Sequence, residues 1–320
     1  MIIFVFIASN WPLADRNESM EFGISFSKVF ARDLGLDWKK AYVEMLDDLN
    51  PKKIRVGAYW TEIEKKRGVY DFSDLDWQVN EAAKRDVKMI LAFGIKAPRW
   101  PECFIPEFYI EDKKAREKAL LEYEEALIER YKNNDAIIIW QVENEPFLPF
   151  GHCIPGAIDV QLLDKELKQT RKLDDTRQIM VTDSGELSIW VPAAKRADVF
   201  GTTLYRIIHK PPIGYVKYPI GPSFFRIKAW IIKVFAGQEN IIISELQAEP
   251  WGPDWIGGMT IEEQYKSMNP QKFNEIIKYA KETNFSESYL WGVEWWYWLK
   301  ETKNNDDMWE KARRVITQRE

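Results

Sequence analysis

Two glutamates in this chain lie where an apolar, strand-like run ends. Glu145 closes the run AIIIWQVENE (136–145), and Glu245 closes the run NIIISE (240–245). The two residues are 100 positions apart, which leaves room for several strand–helix units between them. Two carboxylates delivered to one bond from separate strands are what double-displacement hydrolysis of a glycosidic bond requires. The pair therefore predicts an enzyme that cleaves bonds between sugars.

Eight short β-rich runs alternate with stretches of helical period along the chain. The runs are EFGISFS (21–27), KIRVGAYW (53–60), KMILAFG (88–94), AIIIWQVENE (136–145), QIMVTDSG (178–185), DVFGTTLY (198–205), NIIISE (240–245) and SYLWGVEWW (288–296). This alternation is typical of parallel βαβ units. Because no break in composition interrupts the eight units, the sequence predicts a single (β/α)8 TIM barrel over residues 1–320. Residues 1–20 are a candidate N-terminal extension or leader remnant.

Two connections in this pattern carry structural expectations of their own. The seventh helical stretch, 261–280, is expected to be interrupted or kinked at Pro270. The longest connection, roughly 206–222, contains four prolines and is expected to wall off part of a binding cleft. In TIM barrels the chemistry takes place on loops at the C-terminal ends of the strands, where both glutamates fall.

Composition excludes several classes of chemistry. A net charge of −5 and a pI near 5.5 argue against nucleic acid, which binds basic surfaces. The chain has only two histidines, His152 and His209, with neither an HxH pair nor an HExxH motif, so we predict no metal site. No GxGxxG or Walker-type motif is present, and no cofactor is predicted.

Aromatic residues are abundant, with 15 Trp, 13 Tyr and 17 Phe. Flat apolar rings with polar edges suit the faces of sugars, although most aromatic residues in any protein are core. Eight tryptophans lie at or just after the predicted strand ends: Trp60, Trp100, Trp251, Trp255, Trp291, Trp295, Trp296 and Trp298. That is more than core packing requires, and it favours an oligosaccharide or polysaccharide as the partner.

The N-terminal run MIIFVFIA (1–8) is too short to span a bilayer. It is either a buried plug or strand, or the remnant of a leader or anchor; a membrane partner is expected only through such an anchor. Two cysteines alone favour free thiols, but Cys103 and Cys153 follow consecutive strands and could pair. A disulfide would indicate an oxidising compartment. An extracytoplasmic or membrane-anchored location is favoured over a cytoplasmic one, and the oligomeric state stays open.

The segment FFRIKAWIIKVFAG (224–237) is apolar and carries Arg226, Lys228 and Lys233. We interpret it as the sixth barrel helix, whose apolar face covers the sheet. The alternative is a helix that lies on a membrane surface.

The order of these pieces resembles glycoside hydrolase clan A, the retaining β-glycosidase TIM barrels, over about residues 21–300. Its most specific parts are Asn144-Glu145-Pro146 at the end of the fourth strand and Ser244-Glu245 at the end of the seventh. The resemblance implies that Glu145 is the general acid/base and Glu245 the nucleophile.

The same resemblance implies roles for the residues around the two glutamates. Arg55 on the second strand matches an arginine that donates to the nucleophile, and Tyr205 matches a tyrosine that touches it. Asn144 would bind the 2-hydroxyl of the substrate, a contact that strengthens as the oxocarbenium-like state forms. Trp291 matches the tryptophan that floors the cleaved sugar. Trp100, Trp251 and Trp295 are expected to line flanking subsites.

Two further carboxylates, Glu143 and Glu249, compete near the same two strand ends. Glu143 shares the inward parity of Glu145 and is expected to support it from one step deeper. Glu249 lies beyond the strand and is a candidate substrate contact. Asp183 and Glu186, after the fifth strand, are expected to serve loop solvation or helix capping.

The family within the clan stays open. GVYDFSDLD (68–76) looks like β-galactosidase- and β-xylosidase-type members. The cellulase–mannanase family shares the NEP turn, but it often has histidines near the third and sixth strands, where this chain reads IKAPRW (95–100) and LYRIIH (204–209). The sugar therefore does not carry over from the resemblance. The alternatives are a transglycosylase with the same residues, a non-catalytic carbohydrate-binding barrel and a metal hydrolase on the same fold.

Overall fold

A computed structural model describes residue 10, residues 17–149 and residues 151–318. The apolar run 1–8 lies outside the described residues. Eight parallel strands form a closed barrel in the order β1, β10, β9, β6, β5, β4, β3, β2. The strands are β1 Glu21–Phe26, β2 Lys53–Gly57, β3 Lys88–Phe93, β4 Ile137–Val142, β5 Gln178–Asp183, β6 Val199–Leu204, β7 Ile207–Lys210, β8 Gly214–Lys217, β9 Ile241–Gln247 and β10 Glu287–Trp291. The predicted (β/α)8 TIM barrel is confirmed.

Helices follow the strands along the chain. They are α1 Lys28–Asp33, α2 Trp38–Glu44, α3 Trp60–Ile63, α4 Ser73–Ala83, α5 Lys113–Tyr131, α6 Val160–Leu173, α7 Val191–Ala194, α8 Pro222–Ala236, α9 Ile261–Gln264, α10 Pro270–Glu282, α11 Val293–Lys303 and α12 Asp307–Ile316. Side-chain caps begin several of them; the Asp112 carboxylate, for example, accepts from the backbone N–H of Ala115 at the start of α5. Among the described residues, no helix is long and apolar enough to cross a membrane.

Two compact units make up the chain, residues 52–201 and residues 1–51 with 202–320. Strands β2 to β5 belong to the first of these, and its core contains Leu91, Phe93 and Trp140, all fully buried. Strands β1, β9 and β10 belong to the second, whose core includes Ile24 and Leu290. Burying a side chain of this size stabilises a fold by roughly 1.5–3 kcal/mol. That residues 1–320 form one catalytic domain stays a prediction.

The eighth strand is shorter than predicted. It ends at Trp291, and Gly292, with φ of 146°, turns the chain into α11. Only glycine adopts this backbone conformation readily, and a Cβ here would lie 2.8 Å from the Ala248 carbonyl oxygen. The predicted strand over 292–296 is therefore wrong, and Trp295, Trp296 and Trp298 lie on a helix.

The expected interruption near Pro270 is present. Helix α9 ends at Gln264, and Pro270 is the first residue of α10, where it needs no backbone N–H partner. The side chain of Asn269 caps α10 by accepting from the N–H of Lys272 at 2.9 Å. Proline therefore starts a second helix here and does not kink a continuous one.

The long connection after β6 contains an antiparallel hairpin, β7–β8, with Pro211 and Pro212 at its turn. The Tyr215 hydroxyl donates to the Glu263 carboxylate at 2.8 Å, and Lys217 pairs with Glu275 at 3.4 Å. The connection is thus an ordered element, and its role as a wall of a cleft stays a prediction.

Candidate active site

The turn after β4 carries Glu143, Asn144 and Glu145 in a tightly held backbone. Glu143 and Glu145 have φ of 59° and 47°, left-handed values that are uncommon for residues other than glycine. The Asn144 N–H donates to the Lys96 carbonyl at 3.0 Å, and the Glu145 N–H donates to the Thr182 hydroxyl at 2.9 Å. Hydrogen bonds to Lys96, just after β3, and to Thr182, on β5, therefore hold a strained turn in place. Strained backbone of this kind is common at functional sites.

The side-chain amide of Asn144 is oriented by a buried arginine. Arg55 donates from Nη2 to Asn144 Oδ1 and from Nε to Gln141 Oε1, both at 2.7 Å. The Asn144 Nδ2 group donates to Glu102 Oε2 at 3.2 Å. With its oxygen engaged by a cation, Asn144 presents its NH2 group as the donor side. The expected role of Arg55 toward Glu245 stays a prediction.

Glu143 supports the turn from below. Its carboxylate accepts the backbone N–H groups of Ile95 and Lys96 at 2.7 and 2.6 Å. Burial, reinforced by the neighbouring Glu166, raises the pKa of Glu143 well above its usual range. Gly94 leaves room for this carboxyl, since a Cβ there would lie 2.6 Å from its carbon.

Lys96 contacts this turn and was not selected from the sequence. Its side chain is buried, and Nζ donates to the carbonyl oxygens of Glu145 and Leu148, both at 3.1 Å. The lysine thus holds the chain segment that follows the proposed acid/base. The only signal in the sequence is its position just after the third strand.

A disulfide connects the loop after β3 to the loop after β4. Cys103 and Cys153 are bonded, so the free-thiol expectation is wrong and the alternative pairing holds. The bond lies beside Trp100, whose ring packs edge-on against His152 with centroids 4.4 Å apart. Trp100 is exposed, as a sugar-binding surface requires. Its contact with substrate stays a prediction.

Glu245 lies on β9, which runs two residues beyond it to Gln247. Its carboxylate Oε2 accepts a hydrogen bond from the Tyr205 hydroxyl at 3.1 Å. Tyr205 also packs edge-on against Trp251, with ring centroids 5.4 Å apart. The structure therefore brings together three of the residues selected from the sequence.

Gln247 is a second residue that sequence reasoning missed. Its Oε1 accepts from the N–H groups of Arg206 and Ile207 at 2.8 and 2.9 Å, and its Nε2 donates to the Ile207 carbonyl at 2.6 Å. These bonds tie the segment directly after Tyr205 to β9. Gln247 thereby positions Tyr205 beside Glu245.

The tryptophans predicted to contact sugar differ in their burial. Trp291 is buried and donates from Nε1 to Glu249 Oε1 at 2.9 Å, which orients both side chains. Trp251 is half-buried, and its backbone N–H donates to the Ser267 hydroxyl at 3.0 Å. Trp295 is fully buried on α11, where its Nε1 donates to Gln264 at 2.7 Å. This geometry favours a packing role for Trp295.

Within the described part of the chain, no group of three or more His, Cys, Asp or Glu side chains is suited to hold a metal ion. The titratable side chains around the turn after β4 are instead engaged with the protein itself, as described above for Glu143 and Glu102.

The fold defines a class of protein, the parallel (β/α)8 TIM barrels. The barrel is closed, the Asn144-Glu145 turn follows its fourth strand, and a tyrosine-bonded glutamate lies on its seventh. Residues 76–211 match the family model for "Glycosyl hydrolases family 2, TIM barrel domain".

Two curated relatives share part of this chain. Beta-galactosidase BgaA of Clostridium cellulovorans is 25% identical over 135 residues, covering 36% of this chain and 20% of that protein. Probable mannan endo-1,4-beta-mannosidase A of Aspergillus niger is 25% identical over 145 residues, covering 40% of this chain and 37% of that protein. The chain thus matches well under half the length of either relative.

Solved structures resemble the whole barrel. A GH10 endoxylanase retrieved from a sugarcane soil metagenome has a TM-score of 0.61 at 13% identity, covering 93% of this chain and 98% of that one. The beta-galactosidase from Halorubrum lacusprofundi has a TM-score of 0.59 at 12% identity, covering 93% and 58%. The family match agrees with the expected resemblance to glycoside hydrolase clan A, and the solved structures share the barrel fold.

Proposed function

We propose that this protein is a retaining β-glycosidase that hydrolyses β-linked oligo- or polysaccharide by double displacement. The observation that carries the proposal is the position of Glu145 and Glu245 after the fourth strand and on the seventh strand of one closed parallel barrel. Parallel barrel strands deliver their C-terminal ends to the same face. Retention requires the two carboxyl groups to be about 5 Å apart.

In the first step an oxygen of the Glu245 carboxylate attacks the anomeric carbon. The glycosidic C–O bond breaks, and the Glu145 carboxyl gives its proton to the departing oxygen, so that a glycosyl ester forms on Glu245. The hydrogen bond that the Tyr205 hydroxyl donates to Glu245 Oε2 holds the carboxylate in one orientation for this attack.

In the second step Glu145, now ionised, takes a proton from water. The water oxygen attacks the anomeric carbon, the ester bond to Glu245 breaks, and the sugar leaves with its original β configuration. Glu145 is protonated again and the cycle closes. No metal or organic cofactor takes part in the proposed mechanism.

Asn144 is proposed to bind the sugar 2-hydroxyl. Arg55 engages the amide oxygen of Asn144 and leaves the NH2 group facing Glu102 Oε2. A donor fixed in this way stabilises the transition state more than a donor that must reorient during the reaction. Arg55 acts through Asn144 in this scheme and is a positioning residue.

The substrate class follows from the relatives only in outline. One is named a beta-galactosidase and the other a mannan endo-1,4-beta-mannosidase, so aryl β-galactosides and β-mannosides come first in a substrate panel. β-Glucosides and β-xylosides complete it. Trp100, Trp251 and Trp291 are the proposed aromatic contacts.

The test combines aryl β-glycoside hydrolysis with azide rescue. We expect Glu245→Ala to lose at least about a thousandfold in kcat, with azide restoring turnover and giving the α-glycosyl azide. Glu145→Ala with azide should give the β-glycosyl azide, because azide then attacks the glycosyl ester. Glu262→Ala, at an exposed glutamate on α9, is the matched control and should behave as wild type.

Each alternative predicts a different outcome in this experiment. Folded wild-type protein that binds oligosaccharides but turns over no aryl or polymeric substrate would be a carbohydrate-binding barrel. A product mixture dominated by transfer to added sugar acceptors would indicate a transglycosylase. The same azide product from both variants would contradict the assigned roles.

A further inference from the structure

A buried carboxylate, that of Glu102, lies beside the amide that is proposed to bind the sugar 2-hydroxyl. Glu102 Oε2 accepts a hydrogen bond from Asn144 Nδ2 at 3.2 Å, and the residue is only 8% exposed. Double displacement by Glu145 and Glu245 needs two carboxyl groups, and Glu102 is neither of them. The position of this third carboxylate therefore asks for another explanation.

The orientation of the Asn144 amide does not depend on Glu102. The amide oxygen accepts from Arg55 Nη2 at 2.7 Å, from Gln141 Nε2 at 3.2 Å and from Thr182 Oγ1 at 3.3 Å. Three donors on the oxygen already fix which end of the amide is the NH2 group. A carboxylate next to that NH2 group adds nothing to its orientation, whereas a few placed polar groups are what select a ligand in a binding site.

The loop that carries Glu102 is held in one conformation. Glu102 has a left-handed backbone with φ of 76°; its N–H donates to the Arg99 carbonyl at 2.7 Å, and its carbonyl accepts from the Ala97 N–H at 2.9 Å. The next residue, Cys103, takes part in the disulfide. A Cβ at Gly151 would lie 2.5 Å from the Glu102 Cβ, so glycine is required for this contact. Strained backbone that several contacts maintain is typical of ligand-binding positions.

The amide and the carboxylate together match two neighbouring hydroxyl groups of one sugar. An NH2 group has two N–H bonds; Glu102 accepts one, and no other acceptor in the described part of the chain meets the NH2 group of Asn144. The second N–H can donate to the sugar 2-oxygen. Two oxygens that accept from one NH2 group lie about 5 Å apart, because its N–H bonds diverge. The 3-oxygen of the sugar spans this gap, since it lies about one hydrogen-bond length from the 2-oxygen.

The chemistry of the two groups fixes the direction of each hydrogen bond. A carboxylate only accepts, so the 3-hydroxyl must donate its proton to Glu102, while the 2-oxygen accepts from Asn144. A hydrogen bond to a charged group is about twice as strong as one between neutral groups. The 3-hydroxyl should therefore contribute strongly to recognition.

We propose that Glu102 binds the 3-hydroxyl of the cleaved sugar while Asn144 binds its 2-hydroxyl. This inference rests on the proposed glycosidase function and specifies its substrate, a β-glycoside whose cleaved sugar has free 2- and 3-hydroxyls. Internal residues of a β-1,3-linked chain lack the free 3-hydroxyl, so the site excludes cleavage inside such a chain. Chains linked through the 4-oxygen remain substrates.

The test compares deoxy substrates on wild type and on Glu102→Ala. The substrates are the aryl β-glycoside that wild type hydrolyses best and its 2-deoxy and 3-deoxy analogues. In wild type, loss of the 3-hydroxyl should lower kcat/KM about ten- to a hundredfold. In Glu102→Ala this difference between substrates should largely disappear, whereas the effect of removing the 2-hydroxyl should stay as in wild type, because Asn144 remains. Comparing the same substrates on both proteins cancels their intrinsic reactivities.

Two further variants complete the comparison. Glu102→Gln keeps the size of the side chain and a neutral acceptor, so its 3-deoxy effect should be intermediate; it carries the comparison if Glu102→Ala does not fold. Glu107→Gln changes an exposed glutamate in the same connection between β3 and α5, and it should behave as wild type on all three substrates. Thermal unfolding midpoints show that each variant is folded.

Three results would overturn the proposal. The first is a 3-deoxy effect of equal size in wild type and both Glu102 variants. The second is a loss in the Glu102 variants that is the same on all three substrates, which would indicate a structural role only. The third is cleavage by wild type inside a β-1,3-linked polysaccharide.

Failure of this proposal and failure of the proposed function are distinguishable. Azide rescue of Glu245→Ala does not depend on Glu102, so rescue together with any of these three results would retain the glycosidase and reject the role of Glu102. If wild type hydrolyses nothing, the proposed function fails, and dissociation constants of the methyl β-glycosides and their deoxy analogues give the same comparison by calorimetry. Binding of none of them would overturn this proposal as well.

Discussion

At the residue scale, the orientation of single polar groups is set by neighbours that do not themselves react. The side-chain oxygen of Asn144 accepts a hydrogen bond from Arg55, and its NH2 group donates one to the Glu102 carboxylate. The Glu245 carboxylate accepts a hydrogen bond from the Tyr205 hydroxyl. Gln247 positions Tyr205 by accepting a hydrogen bond from the backbone N–H of the next residue, Arg206. Both arrangements fix a group before substrate arrives, which is the condition for electrostatic stabilisation of a transition state.

Replacing Arg55 with methionine should lower kcat/KM about a hundredfold. The change removes the donor that orients Asn144 while keeping most of the side-chain volume. The loss should shrink on an aryl 2-deoxyglycoside, because that substrate lacks the hydroxyl that Asn144 is proposed to bind. An equal loss on both substrates would contradict a role through Asn144 and would favour the predicted contact of Arg55 with Glu245.

Tyr205→Phe should lower kcat/KM about ten- to a hundredfold, since a hydrogen bond to a charged group contributes about 1.5–3 kcal/mol. The ring contact with Trp251 is retained in this variant, so the thermal midpoint should not change. Tyr215→Phe is the control, because it removes a tyrosine hydroxyl bonded to a glutamate in the hairpin. If both variants keep full activity, Tyr205 does not act on the nucleophile.

At the element scale, α5, α6 and the turn directly after β4 carry three buried carboxyl groups, those of Glu124, Glu166 and Glu143. Burial is the largest cause that raises the pKa of each, and the neighbouring carboxyls add to it for Glu143 and Glu166. The pKa of Glu124 rises from its ordinary 4.5 to about 8. The raised pKa values favour the protonated form of these carboxyl groups in the folded protein.

This cluster predicts that the free energy of unfolding falls as pH rises. Above about pH 4.5 the unfolded chain releases the Glu124 proton while the folded chain keeps it, so the folded state loses stability until pH reaches about 8. The slope is on the order of 1.4 kcal/mol per pH unit for each such group. Urea unfolding at a series of pH values measures it.

Glu124→Gln should flatten this slope and stabilise the protein at pH 8 relative to wild type. Glutamine keeps the size of the side chain and has no proton to lose. Exposed Glu262→Gln should leave the slope as it is. A wild-type stability that rises between pH 5 and pH 8 would show that the cluster is ionised in the folded protein.

At the scale of the whole molecule, one covalent bond adds to a large apolar core. The Cys103–Cys153 disulfide closes a sequence separation of 50 residues. Loops of this length lose about 4 kcal/mol of unfolded-state freedom when cross-linked. Disulfides persist in oxidising compartments, and the extracytoplasmic location expected from the sequence stays a prediction.

Cys103→Ser with Cys153→Ser should therefore lower the free energy of unfolding by roughly 2–4 kcal/mol. It should also raise KM, because the bond lies beside Trp100 and the loop that contains Glu102. Dithiothreitol should produce the same shift in wild type and none in the double variant. A wild-type protein that is indifferent to reductant, with two titratable thiols when native, would argue against the bond.

The sequence by itself determined the barrel and the places of its two glutamates. The periods of strands and helices, like the points at which strands end, depend on residues that are neighbours along the chain. The eight units and the positions of Glu145 and Glu245 could therefore be predicted. The contact between Tyr205 and Glu245 was also predicted, because the family resemblance supplied it.

Only the tertiary structure decided which side chains are buried and which neighbours they meet. Trp100 and Trp295 look equivalent in the sequence, yet one is exposed and the other is enclosed on a helix that begins after Gly292. The disulfide, the Lys96 and Gln247 contacts and the raised pKa of Glu124 likewise depend on residues far apart in the chain. Burial and electrostatics arise from distances in space, which a local pattern of residue types does not encode.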